Sequence, residues 1–167
     1  MGSRTLFFFV EAGGSHLIIL LVEGISTVSL SHVMSPELLQ SSALLLTACL
    51  FGGMVFFSTG FAPVLFKQLG LEQVRPLLRG TFPYYYLAII ALSGIATLVA
   101  APVSITTTAI LACVCASTIF ARQILMPMIN DATDAGDKKR FATLHGLSVA
   151  IQLIQIAVCG WAVVILS

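Results

Sequence analysis

The sequence predicts an all-α fold: a polytopic membrane helix bundle of four core transmembrane helices, arranged as two repeated hairpins, with a candidate extra helix at the N-terminus. Three observations carry this. Of the 167 residues 58% are hydrophobic and only 9% charged, against roughly 25% charged in soluble domains, so a surface solvated by water is hard to build. The apolar residues fall in uncharged runs as long as the roughly 20 residues that cross a bilayer core. The basic residues gather in the connections between those runs.

Residues 1–33 and 34–167 are read separately. After Arg4 an apolar run is broken by Glu11, His16, Glu23 and His32. A carboxylate such as Glu23 costs about 2.5–3.5 kcal/mol at mid-membrane on insertion scales. His16 and Glu23 share a helical face and could soften that cost as a pair. No Ala-x-Ala-type cleavage site follows, which argues against a signal peptide. Three readings stay open: an additional spanning or re-entrant helix, a surface helix or leader, or an extension upstream of Met34. A proton or metal site of His16, Glu23 and His32 is a further, lesser reading.

The first core helix is expected from about Pro36 to Phe66, capped by Ser35 with Pro36 at its first position. Ser42, Cys49, Gly53 and Gly60 fall on one side of it, a small-residue face where a neighbouring backbone could approach closely. Pro63 should bend its last turn. Residues 67–80 read as a polar, basic connection, with room for a short interfacial helix. The second helix is expected from Phe82–Pro83 to Ala101–Pro102, with Tyr84, Tyr85 and Tyr86 at headgroup level. Tyr86, Ser93 and Thr97 share one face. The third, about 103–129, carries a seam of Ala109, Cys113, Ser117 and Ala121. Arg122 lies near its end, either snorkelling to the interface or facing the bundle. Residues 130–140 form a hydrophilic turn.

The last helix organises the rest. The 27 residues after Arg140 carry no formal charge. Its polar groups His145, Ser148, Gln152, Gln155 and Cys159 are spaced 3, 4, 3 and 4, one narrow stripe on a helix. Lipid offers no hydrogen-bond partner, so such a stripe should turn toward protein. The four cysteines lie in apolar runs without a Cys-x-x-Cys pair and read as small buried residues.

Charge sets the expected orientation. Lys67, Arg75 and Arg79 follow the first helix, while Arg122, Lys138, Lys139 and Arg140 flank the second connection. The positive-inside rule makes loops 67–81 and 130–140 cytoplasmic, in a plasma membrane or bacterial inner membrane. There is also an internal repeat: Ser58-Thr59-Gly60-Phe61-Ala62 recurs as Ser117-Thr118-Ile119-Phe120-Ala121 at an offset of 59. At that offset Tyr86 matches His145 and Ser93 matches Gln152, as in a parallel repeat of hairpins.

FGGMVFFSTGFAPVLFKQL, then Arg79 and Phe82-Pro83-Tyr84-Tyr85, then RFATLHGLS, resemble the transmembrane protein 205-like family, an uncharacterised four-helix membrane domain. The likeness covers about residues 40–167, and Arg140, Phe141, His145, Gly146 and Ser148 carry its most specific part. It implies a multi-pass membrane protein, with animal relatives linked to vesicle traffic and platinum-drug resistance, and it implies no reaction. A fainter likeness is to copper-resistance D-type and haem-holding four-helix membrane proteins.

The functional expectation is a small non-enzymatic membrane protein acting through protein partners or as a homo-oligomer, in contact with membrane lipid. A net charge of +1 gives no footing for nucleic acid. The core helices hold no Asp or Glu beyond Glu37 at the margin, so a carboxylate proton relay is not expected. No catalytic residue, metal site or cofactor is assigned. Two alternatives are kept. One is a transporter or channel-like oligomer whose path is lined by Ser93, Thr97, Ser148, Gln152 and Gln155. The other is a haem or metal bundle with His145 as ligand and Met54 or Met126 as second axial group.

Overall fold

The computed structural model describes residues 35–167. The readings of residues 1–33, including the extra helix and the His16, Glu23 and His32 group, lie outside them. Four helices are each long and apolar enough to cross a membrane: α1 (Pro36–Gln68), α2 (Leu71–Ala100), α3 (Ile105–Asp134) and α4 (Lys138–Leu166). The described residues form an all-α membrane helix bundle with no strands.

Local chemistry explains where each helix begins and ends. The Ser35 hydroxyl accepts from the Leu38 amide at 3.3 Å, with Pro36 at the first helical position. Ser104 caps α3 in the same way through Thr107. At the end of α3, Gly136 takes φ +68°, and the amides of Gly136 and Asp137 donate to the carbonyls of Thr133 and Ala132. This is a Schellman termination, which needs a residue free to turn left-handed. Asp137 at once caps α4, accepting from the Arg140 amide at 3.0 Å.

α1 and α3 are not regular throughout. π-helical turns occupy Phe56–Phe61 and Ala121–Leu125, each followed within two residues by a proline, Pro63 and Pro127. A proline has no amide to donate and its ring crowds the carbonyl four residues back. The wider turn absorbs both faults. The two π-turns stand in the first helix of each hairpin.

Each helix buries a row of residues spaced 3 and 4 apart. α1 contributes Leu39, Ala43, Thr47, Leu50 and Met54, and α2 contributes Tyr86, Ile89, Ser93, Ala96 and Ala100. α3 brings Thr107, Leu111, Val114 and Thr118, and α4 brings Gln155, Cys159, Ala162 and Leu166. α1 packs on α2 and α4, and so does α3, which places α1 and α3 across the diagonal. The small side chains of α2 let α3 approach it over the greatest length. Large apolar side chains point outward, including Leu45 at 70%, Leu98 at 68% and Trp161 at 63% exposure. Lipid is the solvent that makes such a surface inexpensive.

Several expectations need correction. α2 starts at Leu71, not near Phe82, and runs through Pro76 and Pro83. Gly70 is the break, and Val74 is already fully buried, so the basic connection is largely helix. α3 continues to Asp134, and the hydrophilic turn shrinks accordingly. The two small-residue seams pack only in part: Cys49, Gly53, Ala109 and Cys113 are exposed, while Ser117 meets Gln155 of α4 and Ala121 is buried. Apolar residues of any size can face either lipid or protein, so small size alone does not mark the interior. For the same reason only Cys159 of the four cysteines is buried.

Candidate functional site

Toward the Pro102 end the four seams close on one another. At the other end, where the basic residues gather, the last turns of α1 touch α2 at few points. The bundle opens there into a cleft of about 1350 Å³. Its walls come from the last half of α1, the first half of α2, the end of α3 and the first half of α4. The prolines and π-turns of α1 and α3 lie at the level of the opening.

One wall is a continuous aromatic cluster. The Phe57 ring stacks on Tyr85 with centroids 4.0 Å apart and planes 18° from parallel. Phe82 meets Phe57 edge-on at 5.6 Å and lies near-parallel to Tyr86 at 5.9 Å. Such contacts contribute beyond simple area burial and fix ring orientation. On the facing helix His145 stacks on Phe141, one turn earlier, at 5.4 Å and 5°.

The polar groups in the cleft are largely bonded to one another. Gln152 Nε2 donates to the Tyr85 hydroxyl at 2.7 Å. The Tyr86 hydroxyl and Ser148 Oγ lie 3.4 Å apart. At the rim, beyond the apolar parts of the helices, Arg79 donates from both terminal nitrogens to the two Asp134 oxygens, each at 2.8 Å. That bidentate, charge-assisted pair ties the end of α3 to the first half of α2. Both partners are about half exposed, so the pair orients the rim more than it stabilises the fold. Arg75 and Lys138 also line the cleft and carry the remaining positive charge.

The structure divides the sequence-derived candidates. Tyr86, His145, Ser148 and Gln152 converge on the cleft. Gln155 does not; it is buried and donates to Ser117 Oγ at 2.8 Å and Thr118 Oγ1 at 3.0 Å on α3. Ser93 and Thr97 donate to carbonyls of their own helix, Ile89 at 2.6 Å and Ser93 at 2.7 Å. Arg122 sits in the second π-turn, outside the cleft lining, with its Nε buried and without a protein partner. The polar stripe of α4 thus has two parts. Gln155 and Cys159 are sealed in the core, while His145, Ser148 and Gln152 face the opening.

Met126 lines the cleft with His145, whereas Met54 is packed in the core. Among the described residues no three His, Cys, Asp or Glu side chains come together to hold a metal ion. Three contributors escaped the sequence reading. Tyr85 reads as a headgroup residue beside its neighbours, although Tyr85, Leu92 and Val99 recur every seven residues and flank the core together. Phe57 sat in an apolar run with nothing to single it out. The Arg79–Asp134 pair joins residues 55 apart, a contact no local pattern reports.

Comparison with curated proteins and with solved structures gives no match. A family model described as a domain of unknown function, DUF4149, matches residues 45–138. That match takes in α1 from its third turn onward, all of α2 and α3, and the turn into α4. It covers more than half of the chain, which therefore belongs to the DUF4149 family.

Proposed function

We propose that this protein has no reaction of its own and acts by holding a partner in the cleft at its basic end, as a membrane-complex subunit or a trafficking or stress-tolerance factor. The observation that carries the reading is the cleft itself. It is larger than the roughly 300–1,000 Å³ of ordinary small-molecule sites and is walled by oriented aromatic rings. Two of its inner polar pairs, Tyr85 with Gln152 and Tyr86 with Ser148, are already bonded to each other, which suits a surface for binding rather than groups poised for proton transfer. The resemblance to the transmembrane protein 205-like family supports the same reading. Its most specific residues, Arg140 to Ser148, lead down one wall of the cleft, with Phe141, His145 and Ser148 in the lining.

On this reading the basic end is cytoplasmic, because Lys67, Arg75, Arg79, Lys138, Lys139 and Arg140 all stand there. The membrane is a plasma membrane or bacterial inner membrane. A photo-crosslinking residue at Val149, in the cleft, should capture an associated molecule that the same residue at Leu98, on the outer face, does not. Identical adducts at both positions would refute the proposal. The haem alternative draws only on His145 and Met126 sharing the cleft, and an absorbance scan without a Soret band ends it. The transport alternative loses Ser93, Thr97 and Gln155 from its path, since their side chains bind neighbouring protein groups.

A further inference from the structure

We infer that the occupant of the cleft is an anionic membrane lipid, its headgroup between Arg75 and Lys138 and an acyl chain lying against the aromatic wall. The inference rests on the cleft being the binding site and adds what it binds.

Length is the first argument. Lys138 and Gln152 both line the cleft and are fourteen residues apart on one helix. That is about 20 Å at 1.5 Å per residue, the depth of one leaflet of a bilayer about 40–45 Å thick with its headgroups. A site one leaflet deep, beginning at the charged end, has the dimensions of one lipid standing in its own layer.

Chemistry follows the same axis. The charged groups Arg75, Arg79, Asp134, Asp137 and Lys138 lie at the rim, and Phe57, Tyr85 and Leu153 lie deepest. Between them the lining is Phe82, Phe141 and the His145 ring stacked upon it. The deeper hydroxyl and amide groups pair as Tyr85 with Gln152 and Tyr86 with Ser148. An acyl chain asks for no hydrogen bonds, and those pairs leave few unmet.

Charge selects the headgroup. Asp134 is engaged by Arg79 in the one ion pair among the described residues, and Asp137 accepts the Arg140 amide at the start of α4. Asp137 keeps its charge while capping α4, but the three rim cations Arg75, Arg79 and Lys138 outnumber the two rim carboxylates, and among the described residues neither Arg75 nor Lys138 is held in an ion pair. Two cations at headgroup depth favour a phosphate without a compensating amine, as basic side chains do at an anionic membrane surface.

The test uses the full chain in nanodiscs of phosphatidylcholine with a minor fraction of phosphatidylglycerol, then extraction into mild detergent and native mass spectrometry. One phosphatidylglycerol should stay on each chain, enriched several-fold over its share of the bilayer. The pair Arg75→Gln and Lys138→Gln should remove the enrichment, and Val149→Trp, which narrows the cleft at mid-depth, should lower the amount of bound lipid several-fold. Helical content and unfolding must match the parent in all variants. Equal retention of the two lipids, or enrichment untouched by the Arg75 and Lys138 changes, overturns the inference. If Val149→Trp still displaces an associated protein or a second copy of the chain, the cleft reading stands and only the lipid assignment fails. Should Val149→Trp change nothing that is bound, both fail.

Discussion

Gln155 on α4 reaches Thr118 on α3 with its amide nitrogen 3.0 Å from the threonine hydroxyl, in the fully buried part of the bundle. The hydroxyl is already donating to the Val114 carbonyl of its own helix at 2.7 Å. Ser117, the other acceptor, likewise donates to Cys113 at 2.7 Å. Both are acceptors to Gln155 and donors to their own backbone.

Gln155→Leu should therefore destabilise only modestly. It removes a donor from two hydroxyls that keep their backbone bonds, so no orphaned hydrogen is left behind. Interhelical bonds of this kind average about 0.6 kcal/mol and reach about 1.7 kcal/mol. Unfolding in mixed micelles should show a loss within that range. The double change with Thr118→Val should cost less than the sum of the two. A loss of several kcal/mol would mean that Gln155 holds something other than α3.

Gln152 behaves differently because its acceptor is an aromatic hydroxyl in the wall of the cleft. Tyr85→Phe leaves the Gln152 amide with a lost partner at 2.7 Å in a half-buried place, and should cost about 1 kcal/mol. Gln152→Leu removes the mismatch from the other side, and the double variant should recover part of the loss. Any measurable flux would be read in the same variants. Flux lost with folding intact favours a polar path, whereas a loss of stability alone assigns Gln152 to holding the wall.

The four helices were legible because long uncharged runs leave little freedom. The interior face was legible only where polarity marked it. The stripe through Ser148, Gln152 and Gln155 on α4 points inward, since lipid would leave those groups unpaired. On α1 and α3 the small residues gave no such signal, and Gly53 and Cys113 face outward while Leu50 and Leu111 pack inside. Pro76 and Pro83 mark no boundary, because α2 runs through both. The cleft itself could not be read, because it depends on how far α1 and α2 diverge beyond the first π-turn.

That difference between faces gives a paired prediction. Ala96 is fully buried where α2 meets its neighbours. Ala96→Leu forces extra volume into a packed seam, which costs about 1–3 kcal/mol. A Cβ added at Gly53 meets nothing within 4 Å, and alanine is the better helix former by up to about 1 kcal/mol. Gly53→Ala should leave stability unchanged or raise it, by micelle unfolding. Loss at Gly53 comparable to that at Ala96 would restore the small-residue face as a packing surface, in contact with a further helix.

Gly136 offers the cleanest separation of backbone from packing. Its φ of +68° is the left-handed region, while a Cβ placed there has no neighbour within 4 Å. Any penalty for Gly136→Ala is thus conformational, about 1–2 kcal/mol. Asparagine tolerates the left-handed region better, so Gly136→Asn should lose less than Gly136→Ala. The Schellman bonds from Gly136 and Asp137 set the angle at which α4 leaves α3, and Lys138 stands directly after them at the rim. Gly136→Ala should therefore weaken retention at the cleft along with stability, with Gly136→Asn intermediate in both. Equal losses for the two variants, read by unfolding and by bound mass, would show that the turn does not rely on its left-handed residue.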